Sequence, residues 1–280
     1  MSLLRIVFVC LLAPFVISAC EPGNQTTQSQ EPGQPTEAAT PTETTTAAGC
    51  ELTLGWDPWE PYHYRDVGGE VRGLDIELVA AIAREAGCKL RFDQEDWGTL
   101  LQRVRSGDVD MLSGATRTAD RESFAWFTAP YRTESFRLYI REGESEKFEG
   151  STLQELLEAA MKIGTTLDYV YGDEVNRLQD DDRFAAQFQG VAVGEVNYDK
   201  LLNFNIDGLL EDSFVAASVI RKKGLDNQID EHPLVVSTGD VHLMLSKASV
   251  DEETVDRLNA ALARVKSSGT FDRIIERYLN

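Results

Sequence analysis

The stretch Ser106 to Tyr131, SGDVDMLSGATRTADRESFAWFTAPY, decides how the rest of the chain is read. Val109 to Leu112 reads as a strand that runs into Ser113-Gly114, followed by a Thr-Arg-Thr loop and then Arg121. The loop's backbone and hydroxyls can donate hydrogen bonds. A guanidinium presents a planar fork that grips a carboxylate with two parallel bonds, which a lysine ammonium cannot do. That is a receptor for the carboxylate end of a small molecule. Taken alone, Arg121 reads more readily as a surface arginine after a strand, so its neighbours must decide.

Working outward, the pattern is strand, helix, strand, helix, strand. Residues 51–55 form a strand, and an aromatic, turn-rich loop follows with Trp59 in it. Asp75 is expected to cap a helix whose apolar positions Ile76, Val79, Ile82, Ala83 and Ala86 have helical spacing, with Gly87 as its stop. A strand at 89–92, a short helix at 99–105 and the strand at 109–112 complete a unit with the grammar of a parallel sheet. A second α/β unit runs over roughly 136–238. It has strands at 137–140, 162–164, 191–193 and 209–210, and Thr165-Thr166 is expected to open a helix. The tail is helical, with Val255, Leu258, Leu262 and Val265 on one face and Phe271, Ile274, Ile275 and Tyr278 on another. If the tail packs on the first unit, the chain crosses between units twice and makes a two-stranded hinge.

Residues 1–19 read as a secretory signal, with Arg5 ahead of the apolar run Ile6 to Ile17, which is too short to span a bilayer and holds a proline. The ISAC ending at Cys20 resembles a bacterial lipoprotein box, which would make Cys20 the lipidated first residue of the mature chain. The alternative is an ordinary cut near Ala19 with Cys20 as a free or paired thiol. Residues 20–49 are rich in Thr, Pro, Gln and Glu, cannot bury enough apolar surface to fold, and suit a tether. Cys50 and Cys88 each precede a predicted strand. If those strands are parallel neighbours, a disulfide is feasible in an exported compartment; otherwise both are buried thiols. The net charge of −20 argues against nucleic acid or anionic lipid as a partner.

From about residue 51 to the end, the chain resembles the extracellular solute-binding proteins of family 3, the polar amino acid receptors of ABC importers. The resemblance rests on Gly73-Leu-Asp-Ile-Glu-Leu, on Trp97 with Leu100-Leu101 and the following SGDVD, and on Gly114-Ala-Thr-Arg-Thr-Ala-Asp-Arg121. It rests also on Phe127-Thr-Ala-Pro-Tyr131, Asn205 to Asp212 and Ser268-Gly-Thr-Phe-Asp-Arg-Ile. It implies the two-lobed periplasmic-binding-protein (type II) fold: two α/β lobes, a two-stranded hinge, and a ligand in the cleft between them. Lobe 1 would be 50–135 plus 239–280, and lobe 2 would be 136–238. Carried over residue by residue, it makes Arg121 the carboxylate clamp, helped by Gly114, Thr116 and Thr118, and makes Asp212 the ammonium acceptor. It places Trp59 and Trp97 against the ligand side chain, Thr165 and Thr166 at an anion-binding turn, and Lys162 and Glu211 within reach of the ligand. Arg117, where the family usually has an apolar residue, is either a solvated charge or a pointer to an acidic ligand.

The reading is therefore a monomeric, lipid-anchored extracytoplasmic binding protein that delivers an amino acid to an ABC permease, with no cofactor or metal. Two other classes share the scaffold. One is an enzyme resembling periplasmic cyclohexadienyl dehydratases, against which the chain shows no paired nucleophile, no HExxH and no GxSxG. The other is a sensor that presents its ligand to a receptor.

Overall fold

A computed structural model describes residues 49–279, so the signal, Cys20 and almost all of the tether lie outside the described residues. The first half of the chain forms β1 (Cys50–Trp56), β2 (Tyr64–Arg65), β3 (Val71–Arg72), α1 (Leu74–Glu85), β4 (Cys88–Gln94), α2 (Trp97–Ser106), β5 (Met111–Ala115), α3 (Ala119–Glu122), β6 (Ala125–Phe127) and β7 (Arg132–Arg141). The second half forms α4 (Leu153–Glu158), β8 (Ile163–Thr166), α5 (Asp173–Gln179), β9 (Phe188–Val191), α6 (Val196–Leu202), β10 (Gly208–Asp212), α7 (Ser213–Lys223), β11 (Ile229–Ser246), α8 (Glu252–Ser267) and α9 (Thr270–Leu279).

The strands lie in the order β4-β1-β5-β11-β7-β10-β8-β9, with β6 also on β11. β1 pairs in parallel with both β4 and β5, as crossover helices require. In the other half β8 pairs in parallel with β9 and β10. β11 is the common spine. Its residues Ile229 to Val241 pair antiparallel with β7, and His242 to Ser246 pair with β5 and β6. The result is two α/β lobes that share one long strand. Sequence reading missed β11 entirely.

Cys50 and Cys88 are direct register partners at the starts of β1 and β4, with Cα atoms 4.4 Å apart, and they form a disulfide. α1 buries Ile76, Leu78, Val79 and Ile82 against Leu258, Leu262 and Ile274 of the two tail helices. Each such side chain contributes about 1.5–3 kcal/mol by leaving water. The expected cap of α1 is corrected. Gly73 is the N-cap at φ 131°, and a Cβ there would lie 2.0 Å from the Tyr62 carbonyl oxygen, so only glycine fits. Asp75 turns inward instead and is fully buried.

Candidate functional site

The carboxyl ends of β1, β5, β8 and β10 converge between the lobes, where open α/β sheets place ligands. A cavity with about 340 Å³ of empty space, counted with its open mouth, sits there. Lobe 1 lines it with Asp57, Trp59, His63, Trp97, Ser113, Gly114, Thr116 and Arg121. Glu134 and Phe136, two residues apart on one face of β7, form its back, and Tyr169 and Val170 close it from lobe 2.

Arg121 reaches this cavity because the chain turns sharply after β5. The Thr118 hydroxyl caps α3 by accepting the Arg121 N–H at 3.2 Å, and that single turn of helix swings the side chain inward to 6 % exposure. Its Nη1 donates to the Thr116 carbonyl at 2.9 Å and its Nη2 to the Asp168 carbonyl at 2.8 Å, while the guanidinium lies 5.5 Å from the Trp97 ring centre. Burial pushes its pKa down, with Glu134 and Asp168 opposing. The group still carries charge at any physiological pH.

Gly114 sits at φ 66°, where a Cβ would lie only 3.2 Å from the Trp59 ring, and its N–H donates to the Tyr131 hydroxyl at 2.8 Å. Tyr131 in turn donates to Asp75 at 2.5 Å. Asp75 is held in a two-toothed fork by Arg132, with Nε–Oδ1 2.8 Å and Nη2–Oδ2 2.9 Å, and that guanidinium lies 3.7 Å from the Tyr62 ring centre.

Two carboxyls in the cleft are held out of their usual range. Burial pushes Glu134 up to about 7, against the pull of Arg132, and the Thr116 hydroxyl donates to it at 3.2 Å. Burial pushes Glu211 up to about 8, although the Asp212 N–H and the Trp59 indole N–H, at 3.0 and 3.3 Å, pull the other way. Glu211 borders a larger chamber, of about 960 Å³ with its mouth, separated from the first by Trp59, His63 and Tyr169. Across that mouth Lys222 of lobe 2 pairs with Glu60 of lobe 1 at 2.6 Å.

Several expected contacts fall elsewhere. Asp212 is fully buried but does not line the Arg121 cavity. Its Oδ1 accepts from the N–H groups of Phe214 and Val215 and from the Tyr62 hydroxyl, and its Oδ2 from Ser135 N–H. It is the cap of α7, so the carboxylate facing the cavity from the hinge side is Glu134. Thr165 and Thr166 are strand residues of β8 rather than a helix start. The chain bends through Asp168 (φ 62°) and Gly172 (φ 99°) before α5 begins at Asp173. Thr166 borders the larger chamber and Thr165 is buried beneath. Lys162 precedes β8, at the end away from the cleft, and is exposed. Arg117 points outward and pairs with Glu122 on the surface, so it gives no argument for an acidic ligand.

Sequence reading missed Asp57, His63, Ser113, Glu134 and Tyr169. Asp57 had a usable signal, since it is the first residue beyond β1. Tyr169 had none, because it enters the cleft only through the packing of one lobe on the other, and Glu134 had none, because its position follows from the path of β7. Among the described residues no group of side chains has the makings of a metal site.

Two α/β lobes sharing a spine, with a buried guanidinium and a carboxylate facing one cavity between them, define a cleft-type small-molecule binding protein. The family model of bacterial extracellular solute-binding proteins, family 3, matches residues 52–280, and the chain belongs to that family. It is 28 % identical over 225 residues to a probable histidine-binding protein of Neisseria gonorrhoeae, covering 78 % of each chain. It is 23 % identical over 238 residues to the arginine-binding periplasmic protein of Mannheimia haemolytica, covering 84 % of this chain and 93 % of that one. An ancestral arginine-binding protein bound to arginine has the same fold, with a TM-score of 0.70 at 22 % identity over 82 % of this chain and 98 % of that one.

Proposed function

We propose that this chain captures an amino acid with a cationic side chain by closing its lobes and delivers it to an ABC permease, as a monomer anchored outside the cytoplasm through a lipid on Cys20. Lobe 1 would comprise 50–135 and 239–280, and lobe 2 136–238. The observation that carries the reading is the composition of the cavity. Among the described lining residues Arg121 is the one arginine or lysine, and it faces two carboxyls, Asp57 and Glu134, with the His63 ring 3.8 Å from Asp57. A zwitterion with an extra positive charge matches that balance: its carboxylate meets Arg121, and its two cationic groups meet Glu134 and Asp57. Moving such charges out of water is tolerable only when each is paired and hydrogen-bonded in the closed cleft. Trp59 and Trp97 would flank the side chain, since cations favour aromatic faces. The relatives' names, histidine- and arginine-binding, agree with this class.

Calorimetry with L-arginine, L-histidine, L-glutamate and glycine tests it. Stoichiometric heat is expected from one of the first two and none from glutamate. Tight glutamate binding, or silence across the panel, would overturn it. Arg121→Lys keeps the charge but loses the fork, so affinity should fall at least a hundredfold while the melting temperature stays within a few degrees.

A further inference from the structure

Residues 168 and 169 do something in this cleft that the proposed function does not require. The Asp168 carbonyl accepts from Arg121 Nη2 at 2.8 Å and from the Trp97 indole at 3.3 Å. The Tyr169 ring meets both Trp59 and Trp97 edge-on, with ring centres 5.9 Å away in each case. Its hydroxyl donates to Asp57 at 3.1 Å. The same ring packs against hydrophobic clusters of both lobes. The loop is therefore joined to the three lobe 1 features that a solute would use: guanidinium, indole pair and carboxylate. Asp168 holds the left-handed conformation, uncommon outside glycine, which persists where the surroundings over-determine it.

We propose that Asp168 and Tyr169 are a tethered occupant of the cleft, with a main-chain carbonyl on Arg121 and a phenol between Trp59, Trp97 and Asp57, so that a solute with a large side chain must displace the ring before that side chain can enter. Tyr169 is then the residue that sets which solutes bind. A small side chain leaves the ring in place, and a large one must evict it. An equilibrium of this kind lowers measured affinity in proportion to the fraction of molecules whose notch is vacant.

This rests on the amino acid reading above, so the test has one arm with a solute and one without. In titrations with L-arginine, Tyr169→Ala should bind at least tenfold more tightly than the unaltered chain, about 1.4 kcal/mol. Tyr169→Phe, which keeps the ring and loses the Asp57 bond, should gain less. Weaker binding by Tyr169→Ala would overturn the proposal, because it would make the ring a wall of the bound site. With no solute present, acrylamide should quench tryptophan emission at least twofold more strongly in Tyr169→Ala, as Trp59 and Trp97 lose their cover; unchanged quenching also overturns it. No heat from L-arginine in any variant, together with the rise in quenching, would remove the arginine reading and leave the tethered ring standing. Tyr169→Phe repeats the comparison should the alanine variant fail to fold.

Discussion

Arg132 is the charge on which the cleft wall depends. Its side chain sits buried in a fork on Asp75, under the Tyr62 ring, and Asp75 also takes the Tyr131 hydroxyl. Arg132→Met fits the apolar stem but leaves Asp75 buried without its cation, and breaking such pairs costs about 3–5 kcal/mol. Scanning calorimetry should show the melting temperature roughly ten degrees lower, at about 2–4 °C per kcal/mol for a domain of this size. A drop under two degrees would mean that the Arg132–Asp75 pair contributes little to stability. The contrast with Arg121 shows what single residues disclose. Arg121 could be picked out from sequence because its placement is local: a strand end, a capping threonine and one helical turn. Asp212 could be recognised as a carboxyl at a strand end, but not as one already committed to four donors. Glu134 carried no mark, because its position follows from the path of β7.

Among the elements, the disulfide makes the clearest prediction. It joins β1 to β4 across a separation of 38 residues, a loop enclosing α1. Constraining a loop of that length in the unfolded chain is worth about 4 kcal/mol in the chain-entropy model. Cys88→Ser should therefore melt roughly ten degrees lower. Dithiothreitol should reproduce the loss in the unaltered chain and do nothing further to the variant. Equal melting with and without reductant would refute a stabilising role. This pair was legible because strand starts and cysteines coincide in sequence. β11 was not, because IDEHPLVVSTGDVHLMLS holds Pro233, Gly239 and scattered charges that argue against a strand locally. Its pairing with β7 and then with β5 and β6 overrides that preference. The β8 to α5 junction failed for a related reason: Thr165-Thr166 looks like a helix start, yet parallel pairing with β9 keeps both extended.

At the scale of the whole molecule, the buried carboxyls of Glu134 and Glu211 couple folding to protons, and burial pushes Asp212 in the same direction. Glu134 and Glu211 are both buried in the cleft, so unfolding the chain hydrates them and returns them to ordinary acidity. Their folded values, about 7 and about 8, lie above the unfolded ones. Between roughly pH 4.5 and 8 the folded state thus holds more protons than the unfolded state, and stability falls as pH rises. The contribution is complete below the unfolded value and is lost as pH passes through 7 and 8. Carboxylates with lowered values, such as Asp96 at the start of α2, act in the opposite sense and only at acidic pH. The melting temperature should therefore peak near pH 5 and decline toward pH 8.5, and Glu211→Gln should flatten that decline. A profile that rises steadily from pH 5 to 8 would contradict the buried, protonated state of both groups. The same linkage reaches the ligand. If the ligand is cationic, as proposed, it favours ionised Glu134, and binding at pH 7 should release protons. The observed heat of L-arginine binding should then differ between phosphate and Tris in proportion to their ionisation heats, and identical heats in the two buffers would rule out Glu134 as the group that meets the ligand's cation.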